Sequence, residues 1–145
     1  MKNLEYDTDI KGAIVSNGKV YDKVIEMIKK HIALKRRNNH IMNKYIMVTT
    51  LCDKEEIANK IQEVLLNKKL IVGCQISEVE SKYWWNGELE TAHEYHLEMR
   101  TKESLYKEIE NEIKQIHDYE VCEISYYEIK GASKEFLDWI EEETK

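Results

Sequence analysis

The residues best suited to chemistry in this 145-residue chain lie towards its C-terminal end, where a histidine and a glutamate come close together. His117 ends a predicted helix, and Glu123 can approach it only if the chain turns at Asp118. An imidazole and a carboxylate together suit Cu(II) or Zn(II). Two interpretations stay open, a metal-binding pair and a hydrogen-bonded His–Glu pair that stabilises a subunit contact.

Three cysteines add thiol chemistry, without the CxxC spacing of a zinc finger. Cys74 lies in the apolar segment LIVGC, where it is either a soft metal ligand or a buried, inert thiol. Cys52 precedes a predicted helix N-terminus, which would favour a thiolate, but we expect a core or loop-edge thiol there. Together with Cys122 they make an odd number, which suits reduced thiols in the cytoplasm better than a disulfide framework.

A polar row and the absence of catalytic motifs bear on the kind of activity. Glu94, His96 and Glu98 occupy every second position of a predicted strand and therefore share one face. This row is either a chelating ladder or, as we expect, a solvated face. The sequence has no GxSxG, HExxH, Walker A or GxGxxG motif. We therefore expect a protein that is not an enzyme and that has no essential cofactor.

The apolar pattern from Tyr45 onwards predicts the elements that position these residues. The order is β-α-β-β-α-β with a terminal helix, which is the ferredoxin-like α+β plan of an antiparallel sheet with helices on one face. The predicted strands cover residues 45–52, 70–85, 88–100 and 119–129, and the predicted helices cover 53–68, 105–116 and 133–143.

Local signals predict where several of these elements begin and turn. Asp53 and Glu56 have the spacing of a capping box at the start of the first of these helices. Asn86-Gly87 is typical of a two-residue hairpin turn. Ser133 is the predicted cap of the last helix.

The adjacent tryptophans Trp84 and Trp85 precede the predicted hairpin turn. They could be core residues, a ligand platform or a subunit contact. Strands of about 10 residues exceed the usual strand length of about 5–6, so the hairpin should project from a small sheet with an unpaired edge. We therefore expect this pair to lie in a subunit contact, with the two side chains on opposite faces.

Charge separates a basic front from an acidic body. Residues 1–44 contain ten Lys and Arg against five Asp and Glu, whereas residues 45–145 contain twelve against twenty-three. We predict an N-terminal extension, residues 1–44, with one amphipathic helix over about 19–36, and a domain formed by 45–145. The basic end of this amphipathic helix is either a solvated helix end, which we favour, or a binding site for an anionic surface.

A second hypothesis for the extension is a mis-assigned start. Arg36-Arg37 lies a few codons before Met42, and two AGG codons there would spell a ribosome-binding sequence. Residues 1–41 would then be upstream sequence read in frame.

Composition excludes several classes of protein. The net charge of −6 does not favour nucleic-acid binding, and no apolar run approaches the ~18 residues of a membrane span. The acidic N-terminus lacks the apolar region of a secretory signal, which again favours the cytoplasm.

From Tyr45 to the C-terminus the sequence resembles the CutA family of divalent-cation tolerance proteins. The segment SKYWWNGELETAHEYHLEMRT is similar to its central signature, with Arg100 in place of the usual lysine. The segments IHDYEVCEI and FLDWI are similar to its H-P-Y-x-x-P-E and closing YLxWI motifs. Asp118 and Cys122 stand where the family has prolines, so the entry to the last strand should be less rigid.

The resemblance implies a PII-like homotrimer whose long hairpins extend the sheets of neighbouring subunits. It implies divalent-metal binding, copper first, and a role in metal tolerance and the response to metal ions. The alternative is a PII-like signalling module that binds a small ligand between subunits and docks on a partner. The predicted metal ligands are His117, Glu123 and Cys74, and the predicted interface residues are Tyr83, Trp84, Trp85, Glu94, Tyr119 and Trp139.

Overall fold

The computed structural model describes residues 18–145, without the side chains of residues 39–42. The chain divides into two compact units, residues 1–39 and residues 40–145. The first part of the predicted extension, residues 1–17, lies outside the described residues, and so does the prediction about a secretory signal.

Helix α1 spans Gly18–Met42 and is longer than the 19–36 segment predicted from its apolar spacing. Several of its large apolar side chains are exposed, among them Met27 and Leu34. Within residues 18–145, no helix has the length and apolar character needed to cross a membrane.

The second unit has the predicted order of strands and helices. Its elements are β1 Tyr45–Cys52, α2 Glu55–Asn67, β2 Gly73–Trp85, β3 Glu88–Lys102, a 3₁₀ turn Glu103–Leu105, α3 Tyr106–Ile116, β4 Ile124–Glu128 and α4 Lys134–Glu143. The strands form one antiparallel sheet in the order β2-β3-β1-β4. The predicted α+β, ferredoxin-like plan is confirmed.

The main core lies between one face of the sheet and helices α2 and α3. Alternating residues of the two central strands, such as Val48 and Met99, point towards the helices because successive strand side chains face opposite ways. Ile61 of α2 and Ile113 of α3 are completely buried against them. Burying each such side chain contributes about 1.5–3 kcal/mol.

A second, smaller core lies beneath α4 and joins the chain's last helix to the start of β1. Tyr45, Val72 and Ile140 form it. The Tyr45 hydroxyl donates a hydrogen bond of 2.7 Å to the Glu141 carboxylate. This contact fixes α4 on the sheet.

Strand β3 is paired on both sides only along its second half. β1 pairs with residues 95–102 of β3, whereas β2 pairs with residues 88–100. Residues 88–94 therefore have a strand neighbour on one side alone. The overlong hairpin is confirmed, with strands of 13 and 15 residues.

The predicted capping box at Asp53 is wrong. Lys54 occupies the N-cap position of α2, and no side chain caps the helix there. The chain bends at Asp53, so the helix begins one residue later than the spacing indicated. The backbone amides of Ile57 and Ala58 both donate hydrogen bonds of 3.1 Å to the Lys54 carbonyl.

Two predicted strands are shorter in the structure than the sequence indicated. Residues 119–123 are not part of β4, although the apolar run from Tyr119 predicted a strand. Residues 70–72 precede β2. There Leu70 fills the core, and its carbonyl accepts a hydrogen bond of 2.6 Å from the Thr101 hydroxyl.

The predicted Ser133 cap of α4 is confirmed, since the Ser133 hydroxyl accepts a hydrogen bond of 3.3 Å from the Phe136 amide.

The hairpin turn has the predicted geometry. Asn86 and Gly87 have φ values of 49° and 83°. Two successive positive φ values define the type I′ turn that matches the twist of the two strands.

Replacing Gly87 with Ala should lower the free energy of unfolding by about 1–2 kcal/mol, because a Cβ is disfavoured in the left-handed region. Urea denaturation measures this change. Gly131→Ala is the matched control, since Gly131 is not among the described glycines with positive φ and has no heavy atom within 4 Å of an added Cβ. Equal effects of the two substitutions would contradict the strain argument.

Candidate functional site

A cleft of about 720 Å³ lies beside the projecting half of the hairpin. β1 ends at Cys52 while β3 continues past it, so the space next to β3 is not filled by a strand. The turn after α3 passes across this space. The residues that line the cleft are Leu51, Asp53, Ser81, Lys82, Tyr83, Trp85, Ala92, Glu94, Asp118, Tyr119, Glu120, Val121 and Glu123.

The lining combines aromatic rings with an excess of carboxyl groups. Three of the lining residues are aromatic, and five are Asp or Glu against a single lysine. Such a lining gives a negative potential, which attracts cations, and the ring faces also favour cations. Chemically, the cleft suits a metal ion, an organic cation or a basic side chain.

Glu94 and Tyr119 form the best-defined contact of the cleft. Glu94 is only 3% exposed, and the Tyr119 hydroxyl donates a hydrogen bond of 3.0 Å to its carboxylate. Burial, together with the neighbouring carboxylate, raises the pKa of Tyr119 well above its usual range, so the hydroxyl stays protonated as the donor. The expectation that this position belongs to a solvated row is therefore wrong for Glu94.

His117 has partners for both of its ring nitrogens. Its Nδ1 accepts a hydrogen bond of 3.1 Å from the Tyr119 amide, so the Nε2–H is the donor to the Leu51 carbonyl at 2.6 Å. The imidazole and the Tyr119 ring meet edge to face, with centroids 4.8 Å apart. His117 thus ties the turn after α3 to the end of β1 and positions Tyr119 over Glu94.

Glu123 lies at the cleft, and the hydrogen bonds of the His117 ring go to Leu51 and Tyr119, so the His–Glu pair that was one of the two interpretations is not formed within the chain. The Glu123 backbone is held by the Thr50 hydroxyl, which donates to its carbonyl at 2.7 Å. The nearby Asp118 instead pairs with Lys54, and this ammonium holds the pKa of the Asp118 carboxyl below its usual range.

Cys74 and Cys52 lie on the helix-facing side of the sheet, whereas the cleft is on the other face. Cys74 packs against the main core, and burial raises the pKa of its thiol to about 11. Cys52 is completely buried, and burial likewise raises the pKa of its thiol to about 11. The thiolate interpretation of Cys52 is wrong, and it is a core thiol.

The structure brings together four of the six predicted interface residues: Tyr83, Trp85, Glu94 and Tyr119 all line the cleft. Trp84 points to the opposite face, as predicted for adjacent strand residues, and is 73% exposed. Trp139 lies on α4, and its ring packs near Gly73, 3.8 Å from the point that a Cβ added to this glycine would occupy.

Among the described side chains, those of residues 18–38 and 43–145, no three of His, Cys, Asp or Glu are grouped so that they could hold a metal ion. The predicted set of His117, Glu123 and Cys74 is therefore not assembled within one chain, and it stays a prediction for an assembly of chains.

Sequence reasoning missed two features of the cleft. Asp53, read as a helix cap, lines the cleft instead. Asp118, noted as a turn position and as a replacement for proline, also forms an ion pair with Lys54. The signal that could have found the second is the loss of the proline itself, because an ion pair can restrain a turn that lacks a rigid residue.

A model of the family described as CutA1 divalent ion tolerance protein matches residues 46–143, which is most of the chain. The chain belongs to the CutA1 family. The resemblance found in the sequence is thereby confirmed, and its matched region covers all four strands of the sheet, with β1 from its second residue.

Named CutA relatives match over a similar length of the chain. The divalent-cation tolerance protein CutA of Pyrococcus horikoshii is 34% identical over 100 residues, 69% of this chain and 97% of the relative. The protein of the same description from Archaeoglobus fulgidus is 36% identical over 98 residues, 68% of this chain and 92% of the relative.

Solved CutA structures share the fold. CutA1 from Pyrococcus horikoshii superposes with a TM-score of 0.66 at 32% identity, covering 69% of this chain and 98% of that one. CutA1 from Oryza sativa gives a TM-score of 0.68 at 29% identity, with 70% and 94% coverage. The Archaeoglobus fulgidus structure, described as a periplasmic divalent cation tolerance protein, gives 0.68 at 32% identity, with 70% and 99% coverage.

The Glu94–Tyr119 contact can be tested by removing its donor. Tyr119→Phe should lower the free energy of unfolding by about 1–3 kcal/mol, because it leaves a buried carboxylate without that partner. Tyr127→Phe, at a tyrosine that is 59% exposed, is the control and should change stability by less than about 0.5 kcal/mol. A Tyr119→Phe protein as stable as the parent would show that the hydrogen bond does not matter.

Proposed function

We propose that this CutA1 family member is a cytoplasmic homotrimer that binds divalent cations and contributes to metal tolerance. Copper is the leading candidate for the bound metal. The observation that carries the proposal is the carboxylate-rich cleft beside the projecting hairpin. The relatives described as divalent-cation tolerance proteins support the same chemistry. Three free thiols support the cytoplasmic location.

A trimer explains the unpaired parts of the sheet. β2 is an edge strand of 13 residues, and the end of the hairpin exposes Tyr83, Trp84 and Leu89. A long, apolar edge of this kind invites pairing with another chain. Packing against neighbouring subunits would cover these side chains and would close the cleft from its open side.

Glu123 is the proposed carboxylate ligand in the cleft. Its backbone is fixed by Thr50, so its side chain has a defined starting point at the cleft wall. The side chains of residues 18–38 and 43–145 contain no group of three ligands, so we expect further donors from a neighbouring subunit or from solvent. Cys74, on the other face of the sheet, can contribute only from such a neighbour.

His117 is the proposed imidazole ligand, and its binding has a structural consequence. Because both ring nitrogens already have partners, metal must replace the bond to Leu51 or the bond to Tyr119. Binding should therefore move the turn over residues 117–119.

The second candidate function is a PII-like signalling module that takes a small ligand in the intersubunit clefts. The cleft volume of about 720 Å³ and its three aromatic side chains favour this alternative, since small-molecule sites typically span about 300–1,000 Å³. Against it, the body sequence has no Gly-rich phosphate loop.

Calorimetric titration of the full chain with Cu(II), Zn(II) and a panel of nucleotides separates the two functions. We expect Cu(II) binding that weakens at least tenfold in Glu123→Gln and in His117→Gln, since each removes one ligand. Glu63→Gln, an exposed carboxylate on α2, is the control and should bind as the parent does.

Each other outcome has a defined meaning. Binding of copper that neither variant weakens would move the site to the row of Glu94, His96 and Glu98. A nucleotide that binds while both metals do not would establish the signalling alternative and overturn the metal proposal.

A further inference from the structure

Helix α1 carries an apolar face that is unusually wide for a surface helix. At about 100° per residue, its residues from 18 to 34 separate into two halves of the helix surface. One half holds eight apolar residues and a single histidine, namely Val20, Tyr21, Val24, Ile25, Met27, Ile28, His31, Ile32 and Leu34.

The large members of this face are exposed. Met27 is 70% exposed, Leu34 is 56% exposed and Tyr21 is 53% exposed. Ile28 and Ile32 are also exposed and lie one turn apart. An apolar surface of this extent needs a partner that removes it from water.

The other half of the helix is basic. Within residues 18–34 it holds four lysines against two acidic residues, and three more basic residues follow at 35–37, of which Lys35 falls on the apolar half. A partner must therefore present apolar matter next to negative charge.

Two partners present apolar surface, and charge decides between them. Further copies of this helix would bring together three segments that each have a net charge of +5, and like charges repel. A helix seam also needs a narrower stripe than half of the helix surface. An anionic lipid bilayer instead takes a wide apolar face into its acyl boundary and pairs the basic face with its headgroups.

We propose that α1 lies in the surface of an anionic lipid bilayer and tethers the cation-binding body to it. The helix lies on the bilayer and does not cross it, in agreement with the absence of a spanning helix among residues 18–145. Upstream sequence read in frame by accident has no reason to keep its apolar residues on one half of a helix, so the pattern favours a segment with a role.

The test is flotation of the full chain with two kinds of vesicle, phosphatidylcholine alone and phosphatidylcholine mixed with phosphatidylserine. We expect binding to the mixed vesicles that high salt weakens and little binding to the neutral ones. The double variant Ile28→Ser/Ile32→Ser should weaken binding by about tenfold or more, since both side chains lose their apolar burial.

Charge variants give an independent measure. Lys29→Gln and Lys30→Gln should each weaken binding to the mixed vesicles by about fivefold. The controls are Ala33→Ser, on the polar half of the same helix, and Lys130→Gln on the body. Both should bind as the parent does.

Three results would overturn the proposal. The first is no binding to the mixed vesicles. The second is binding that Ile28→Ser/Ile32→Ser leaves unchanged, which would indicate attraction of a basic segment to any polyanion. The third is a change of the mass in solution in that variant without a change in vesicle binding, which would assign the apolar face to copies of the helix.

Discussion

The pairing of β3 with two strands of unequal length is the constraint on which the rest of the body depends. β1 is 8 residues long and covers only the second half of the 15-residue β3, whereas β2 follows β3 almost to its end. The half of β3 that pairs with both β1 and β2 belongs to a continuous sheet that covers the buried core. The other half of β3 forms a two-stranded ribbon with β2. A lone hairpin is at best marginally stable in water, so this ribbon needs further packing on its faces.

The cleft and its chemistry follow from where β1 stops. Glu94 lies one residue before the point at which β3 gains its second neighbour, since Tyr95 pairs with Cys52. Its carboxylate faces the space that β1 leaves, and the Tyr119 hydroxyl satisfies it there. The bonds of His117 to Leu51 and to Tyr119 hold that turn in place, so one histidine links the end of β1, the end of α3 and the cleft wall.

The fold could be predicted from the sequence where local signals and packing agree. Alternation in β3 and the Asn86-Gly87 turn define the hairpin, and the structure has both. The misses occur where a distant contact decides. Tyr119 lies in an apolar run but leaves the sheet to cover Glu94, a residue 25 positions away. Spacing alone could not show that Glu94 is buried, nor that Asp118 would pair with Lys54 at a separation of 64 positions.

In the proposed trimer, other subunits complete the half of the hairpin in which β3 has one strand neighbour, and the mass of the full chain in solution shows whether they do. Sedimentation equilibrium at micromolar concentration should give three times the chain mass of 17.3 kDa. Trp85 is 40% exposed in the single chain and would be buried by a neighbouring subunit. Trp85→Ala should therefore shift the protein towards monomer, because truncating a buried aromatic costs about 3–5 kcal/mol, and Leu66→Ala on α2 should not. A monomeric parent, or a Trp85→Ala protein that assembles as the parent does, would contradict the account.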